Sequence, residues 1–364
     1  MRKLTLIGVL VLAGLAVAQG PRIDKIGVQD IGYGGTWTRT YISGLTAEMY
    51  GVTPINVIEF GAIPDDSGDD YSVIQAAIDS CEAWGGGAVY IPPGTFNCSA
   101  TLSVEGDNIG IIGVPGSIIQ ADHDSIGLRI GAYDAQHRSC RVRDLRLTRA
   151  SFDSTDMNSI GIKVVNHYNG IFDGHATTYF KYGMYVTSAG GYGSALNTFI
   201  PDRHQDDQYP LWVEPADTNS WCNSNTWVGG WFKSYGPGRP ITINWPVDTI
   251  KHPNMNTMYA PTCEGRIETY TAVIGGELNT IYNMRNEPQS GDPDNILFQQ
   301  YSERCGVIGG WGIWPTQFED LGEGNRIDMI LTGGGYYIYP DSTEPGTGWD
   351  STNLRGTLWF DAEA

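Results

Sequence analysis

Apolar positions along this chain fall into two rhythms. Ile74, Ala77, Ile78 and Cys81 recur at i, i+3, i+4 and i+7, which predicts one amphipathic helix over about residues 69–84. Asp69 or Asp70 can cap its start, and Gly85, Gly86 and Gly87 stop it. Ile55, Val57 and the apolar run to Phe60 predict a short strand closed by Gly61, and Ala88 to Ile91 predict a buried strand ending at Pro92 and Pro93. From Thr95 onward the rhythm changes to short β-type runs. Leu102 to Val104, Ile109 to Ile112, Leu128 to Ile130, Val142 to Leu147, Ile160 to Val165 and Met184 to Val186 are separated by Gly, Asn and Asp. Long helical patterns are absent and 48 glycines supply turns, so the chain is all-β: a sandwich, a barrel or a solenoid.

A repeat decides between these. An Asn followed two residues on by a large apolar side chain, with a polar residue at the eighth position, recurs as Asn197/Phe199/Gln205, Asn225/Trp227/Lys233, Asn256/Met258/Glu264, Asn279/Ile281/Glu287 and Asn295/Leu297/Glu303. The first three separations, 28, 31 and 23 residues, suit the coils of a solenoid, while the last, 16, is too short for a full coil. Asn tolerates the left-handed conformation of sharp corners, and stacked Asn side chains can bond along a ladder.

The stretch from Ile55 to Phe96 also resembles a known family. Phe60-Gly61-Ala62, Asp69-Asp70, Ile74-Gln75-Ala76-Ala77-Ile78, Gly86-Gly87, Val89, Ile91-Pro92, Gly94 and Phe96 match the N-terminal signature of the pectate-lyase-like superfamily. That superfamily includes rhamnogalacturonase/epimerase-like domains and phage tailspikes. It implies a single right-handed parallel β-helix with an N-terminal capping helix. The turn departs from the family's usual glycine-aspartate-glycine, reading Pro64-Asp65-Asp66-Ser67-Gly68. Gly174-His175-Ala176 lacks the last glycine of the polygalacturonase branch's Gly-His-Gly, and the other motifs of that branch do not occur in order, so His175 reads as a packing or surface residue.

The ends and the charge narrow the setting. Residues 1–18 have the parts of a signal peptide: Arg2 and Lys3, an apolar core, and the Ala16-Val17-Ala18 cleavage site. The expected organisation is a signal peptide (1–18), an irregular arm (19–54), the β-helix domain (55–340) and a C-terminal tail (341–364). The protein is expected to be secreted, extracellular or periplasmic, without a membrane anchor. Net charge is −19 because Lys plus Arg number only 22 against 41 acids, which argues against nucleic-acid binding. An even count of six cysteines in an exported chain favours disulfides, with Cys81–Cys98 the foremost pair. No metal-ligand spacing is present.

On a β-helix, chemistry belongs outside the aliphatic core, in the loops and on the exposed sheet faces. Asp202 to Glu214 gathers carboxylates and aromatics in what reads as a long loop. Glycoside hydrolysis needs two carboxyl groups, and Asp206 or Asp207 as acid with Glu214 or Asp202 as base is the candidate set. Trp212, Trp231 and Tyr235, within a stretch crowded with Trp, are candidates for stacking on sugars. Arg141 and Arg143 share a strand face and suit the carboxylate or sulfate of an acidic sugar. Glu264, Glu287 and Glu303 would stack on neighbouring coils if the repeat holds, with Glu264 a substrate contact. Each set has a plainer alternative: a solvated loop, a solvated strand face, or corner and ion-pair chemistry. Asp65, Asp66, Asp69 and Asp70 are better explained as turn and helix-start residues than as calcium ligands.

The resemblance implies an exported carbohydrate-active enzyme that cleaves a polysaccharide, an acidic one if the few basic residues cluster, by hydrolysis or β-elimination. In a lyase, Arg143 is a base candidate, with Ca2+ held by loop carboxylates. The competing expectation is a non-catalytic glycan-binding surface protein or tailspike-like adhesin. A monomer favours the enzyme and a homotrimer the spike.

Overall fold

The structure, a computed structural model, describes residues 54–337 apart from 154, 156, 157, 245–252, 268, 269, 289–295, 301, 312–317, 329, 333 and 334. Its compact unit begins at Ile55. The chain winds as a β-solenoid in which each coil contributes a strand to three parallel ladders. One coil runs Ile171–Asp173, Ala176–Thr178, Tyr182–Ser188, and the next runs Thr198–Ile200, Arg203–Asp207, Tyr209–Pro215. Coils pair in register: Phe172, Phe199 and Trp227 align in the first ladder, Thr177, His204 and Phe232 in the second, Val186, Val213 and Ile243 in the third. The third ladder is a sheet of nine strands. A shorter ladder, His137–Arg138 through Trp221–Asn223, leads four coils back to the first. The terminal pair Ile330–Thr332 and Gly335–Tyr337 is antiparallel.

Strand alternation drives this winding. Every second residue points into the tube, where columns of Ile, Val, Leu, Met and Phe have lost all contact with solvent. Rings stack at the rung spacing: Phe172 on Phe199 and Phe199 on Trp227, each at 4.8 Å between centroids. Burying one such side chain contributes about 1.5–3 kcal/mol, repeated coil after coil.

The Asn repeat is a physical ladder. Asn197 Nδ2 donates to Asn225 Oδ1 at 3.0 Å, Asn225 Nδ2 to Asn256 Oδ1 at 3.0 Å, and Asn256 Nδ2 to Asn279 Oδ1 at 2.9 Å. All four residues are fully buried. Register extends the column differently from the sequence expectation: Cys305 occupies the next corner, and Asn325 Oδ1 accepts its N–H at 2.9 Å. Asn295 lies outside the described residues. Glu264 and Glu287 do stack, but Glu303 pairs with Glu277 and Glu323 in another column.

Three other local expectations are corrected. The strand expected from Ile55 to Phe60 is only Ile55–Asn56, because Asn56 Oδ1 accepts the Ile58 N–H and turns the chain into a 3-10 helix, Val57–Phe60. Asp202 to Glu214 is no loop: Arg203–Asp207 and Tyr209–Pro215 are strands of the second and third ladders. All six cysteines are buried thiols, not disulfides. Burial pushes the Cys98 thiol up to about 12, so each acts as a small apolar filler.

The expected helix is Tyr71–Ala83. Its Ile74, Ala77, Ile78 and Cys81 are buried against the first coils. Strand Leu102–Val104 ends the third ladder, and the helix serves that edge: Gln75 exchanges hydrogen bonds with the Ser103 backbone, and Glu82 Oε1 accepts the Glu105 N–H at 2.6 Å. An otherwise open pairing edge is thereby closed. The turn acids are structural. Asp65 Oδ1 accepts the Thr95 N–H, Asp70 accepts those of Ile63 and Asn97, and Asp69 binds Ser99 and the first helical N–H. The expected signal peptide, the expected arm up to residue 53 and the expected tail lie outside the described residues. No helix among the described residues is long and apolar enough to cross a membrane.

Candidate functional site

The solenoid distributes the sequence-predicted residues over different faces. Asp207 is fully buried, its Oδ2 accepting from Thr177 Oγ1 at 2.6 Å and its Oδ1 from the Phe180 N–H at 2.8 Å. Asp206 adopts φ 57° at a register shift and faces outward, 3.9 Å from Lys233 Nζ. The adjacent pair therefore diverges, one carboxylate inward and one outward. Trp231 and Glu264 share the outer second-ladder face with Asp206; Arg203 lies over the Trp231 ring, and Lys233 Nζ is 3.8 Å from Glu264. Arg285 pairs with Glu287. Tyr235, half exposed, sits further along the strand carrying Trp231.

Arg141, Arg143 and Asp202 belong to the first ladder and its corner. Arg143 Nε is 3.3 Å from Asp144 Oδ2. Burial pushes the Asp144 carboxyl up against the opposing pull of Arg143, and Asp173 and Asp202 add to the rise. Gly174 has φ 61°, and a Cβ there would run into Asp144 Oδ1, so glycine is what lets this carboxyl sit in the corner.

Trp212 and Glu214 stand on the third ladder, and there the structure gathers the densest chemistry. The outward column reads Arg129, Lys163, Tyr185, Trp212, Thr242 on successive coils. Tyr182 pairs in register with Tyr209, and their rings stack at 5.4 Å. Trp212 meets both edge-on, at 5.5 and 5.2 Å, and Tyr185 adjoins Tyr182 at 5.3 Å. Glu214 is the hub: Oε2 accepts from Trp212 Nε1 at 2.6 Å and Tyr185 Oη at 3.1 Å, and Oε1 accepts from Asn244 Nδ2 at 2.7 Å. Gln299 in turn holds Asn244. Burial, then Glu214, pushes the Tyr185 phenol well above its usual range, and burial, then Tyr209 and Glu214, raises Tyr182. Cations surround the rings: Lys163 lies 4.8 Å from the Tyr185 centroid, Lys181 5.5 Å from Tyr182, and Arg239 6.0 Å from Tyr209. In a chain so poor in basic residues, three cations thus gather at one aromatic face.

Sequence reasoning reached Trp212 and Glu214 but missed Tyr182, Tyr185, Tyr209, Lys163 and Asn244. The signal available was a polar or aromatic residue between inward apolar ones, as in Ile162-Lys163-Val164, Met184-Tyr185-Val186 and Leu211-Trp212-Val213. His175 and His204 lie inside the tube. His204 Nε2 is 3.1 Å from His175 Nδ1, and His204 Nδ1 is 2.5 Å from Thr177 Oγ1, so a buried polar chain runs through to Asp207. Among the described residues, no group of three or more His, Cys, Asp or Glu is gathered to hold a metal ion.

Coiled parallel ladders capped by a helix are a known architecture, and residues 54–137 match the family described as rhamnogalacturonase A/epimerase, pectate lyase-like. The fold is that of a pectate-lyase-like right-handed β-helix. It is 33% identical over 131 residues to mannuronan C5-epimerase AlgE4 of Azotobacter vinelandii, covering 33% of this chain and 23% of that protein. It is 56% identical over 45 residues to AlgE6 of the same organism, covering 12% of this chain and 5% of that one. The chain thus spans less than a quarter of these relatives. Among solved structures it is similar to DFA-IIIase from Arthrobacter chlorophenolicus A6 in complex with GF2, with TM-score 0.56 and 10% identity over 77% of this chain and 88% of that one. It is also similar to an iota-carrageenase complexed to iota-carrageenan fragments, with TM-score 0.50 and 12% identity over 81% and 60%. At these identities the likeness is one of fold. The family match ends at residue 137, ahead of Lys163 and the rest of the aromatic face.

Proposed function

We propose that this protein is an exported enzyme that acts on an acidic polysaccharide along the outer face of the third ladder. The observation that carries this is the cluster of Tyr182, Tyr185, Tyr209 and Trp212 around Glu214, flanked by Lys163, Lys181 and Arg239. Sugar rings present apolar faces that pack on such rings, and the cations suit a uronate carboxylate. The names of the relatives, an epimerase and a carrageenase, support a polysaccharide substrate.

The chemistry favoured is proton transfer at the carbon beside a uronate carboxylate, leading to epimerisation or β-elimination. Lys163 would neutralise the sugar carboxylate and so acidify the adjacent C–H. Tyr185 would take that proton as its own passes to Glu214, 3.1 Å away. Tyr182, kept protonated by its burial, would give a proton to the substrate from the other side and regain one from solvent. Glu105, at the Arg129 end of this column, is engaged with Arg129, which disfavours it as a hydrolase's second carboxylate beside Glu214. A second reading places hydrolysis at the first-ladder corner, where Asp144 is raised beside Asp173 and Asp202.

The test is incubation of purified protein with alginate, pectate and carrageenan, following unsaturated-product absorbance, C5 configuration by NMR and reducing ends. Unsaturation or inverted C5 on a uronate polymer is expected. Tyr185→Phe and Glu214→Gln should each lower turnover about 100-fold or more. New reducing ends without unsaturation would move the chemistry to the Asp144 corner. Binding without any product would make the protein a glycan-binding module instead.

A further inference from the structure

We propose that Phe152 and Tyr235 form a side wall that turns the aromatic face into a cleft and sets its grip on a long acidic polysaccharide. This rests on the third-ladder reading above. The two rings lie 4.8 Å apart, tilted 54°, although they come from distant coils. Phe152 follows the second-ladder strand Arg146–Thr148 by four residues, and Tyr235 belongs to Trp231–Gly238. Register separates those strands by three rungs, Arg146 to Ala176 to Arg203 to Trp231. Three rungs are about 14 Å along the axis, which four extended residues just span. The segment after Thr148 therefore runs lengthwise over the corner between the second and third ladders. The two coils that follow behave differently: one passes directly from Thr178 to the strand starting at Tyr182, the other from Asp207 to the strand starting at Tyr209.

Both halves of the wall are fastened, and both to the proposed site. At the base of the first, Arg149 Nη2 is 2.9 Å from Asp124 Oδ1 and the Ala150 N–H donates to Asp122 Oδ1 at 2.7 Å. On its return, Ser159 O accepts the Tyr182 N–H at 3.0 Å and Ser159 Oγ accepts the Lys181 N–H at 2.9 Å. The second half continues from Tyr235 to Arg239, whose guanidinium lies over the Tyr209 ring. The ring pair thus stands beside the edge of the face marked by Tyr182 and Tyr209. Tyr235 is 50% exposed, leaving an aromatic surface for sugar units that extend past the central rings.

The test is calorimetric binding of a uronate polymer and of a uronate disaccharide to the full chain. Phe152→Ala with Tyr235→Ala should weaken polymer binding about tenfold while leaving the disaccharide unchanged. Tyr235→Phe, which keeps the ring, should bind as wild type does. Trp212→Ala should weaken both ligands. The wall is overturned if the double variant, folded by circular dichroism, holds the polymer as tightly as wild type while Trp212→Ala does not. It is overturned equally if Tyr235→Phe is as weak as the alanine. Normal binding by Trp212→Ala would remove the third-ladder reading itself.

Discussion

Asn225→Ala offers a direct test of what holds the coils in register. Asn225 is fully buried, and its side chain is both donor and acceptor in the ladder. Oδ1 receives the Asn197 N–H at 3.2 Å and Asn197 Nδ2 at 3.0 Å, while Nδ2 gives to Ser194 O and Asn256 Oδ1, each at 3.0 Å. Truncation strands two buried donors on Asn197 and removes a donor from each of two acceptors. At about 1–3 kcal/mol per orphaned buried group, and allowing for water entering the gap, the expected loss is about 3–5 kcal/mol. That is a large part of the total stability of an ordinary domain, about 5–15 kcal/mol. Urea unfolding followed by far-ultraviolet circular dichroism measures it, with exposed Asn219→Ala as a control expected to shift stability by less than about 0.5 kcal/mol. Because each coil contacts only its neighbours, the unfolding transition of Asn225→Ala should also broaden. A loss under about 1 kcal/mol would show that the inward apolar columns alone set the register and that the ladder contributes little.

Asp207 is held near pKa 8, above its ordinary 3.8, chiefly by full burial, so the folded state binds a proton that the unfolded chain has released. His175, lowered to about 3 from 6.5, has the opposite effect but only below pH 6.5; stability should therefore fall as pH rises from 6.5 to 8, and Asp207→Asn should flatten that fall in melting temperature. Six buried thiols predict that a reductant leaves the melting temperature unchanged and that thiol titration of the denatured, unreduced chain counts six; a lower count would mean that bridges form. Gln75→Ala with Glu82→Ala should expose the Leu102–Val104 edge and raise aggregation measured by light scattering, with no aggregation speaking against the helix as an edge cap.

The first ladder is legible in sequence for a specific reason. Its corner demands a small amide that satisfies buried backbone, and its third position must fill the tube, so Asn197/Phe199, Asn225/Trp227 and Asn256/Met258 announce themselves. The helix is legible because its apolar stripe spans two turns in unbroken register. Where one side chain can substitute chemically for another, the pattern breaks. Cys305 takes an Asn corner with a thiol donating to Gly276 O, so the eye slides to Asn295 instead. The six cysteines mislead similarly: even count and export argue for bridges, yet each fills a separate buried position. A buried thiol and a bridged half-cystine look alike until the distances are known.

The aromatic face was harder to read because its residues are set by the third ladder while the audible repeat belongs to the first. Between the two run connections of unequal length: Val165 to Ile171 is short, while Pro215 to Thr226 and Ile243 to Thr257 are longer. Each insertion shifts the third-ladder phase relative to the Asn corners, so Lys163, Tyr185 and Trp212 stand 22 and 27 residues apart, marked only by the apolar residues on either side of each. A solenoid tolerates such insertions because loop closure costs grow slowly with length, about 0.6 kcal/mol per doubling. The same tolerance lets one insertion, after Thr148, travel three rungs and meet Tyr235. Architecture in this fold is therefore written in the invariant rungs, and recognition in the places where the period fails.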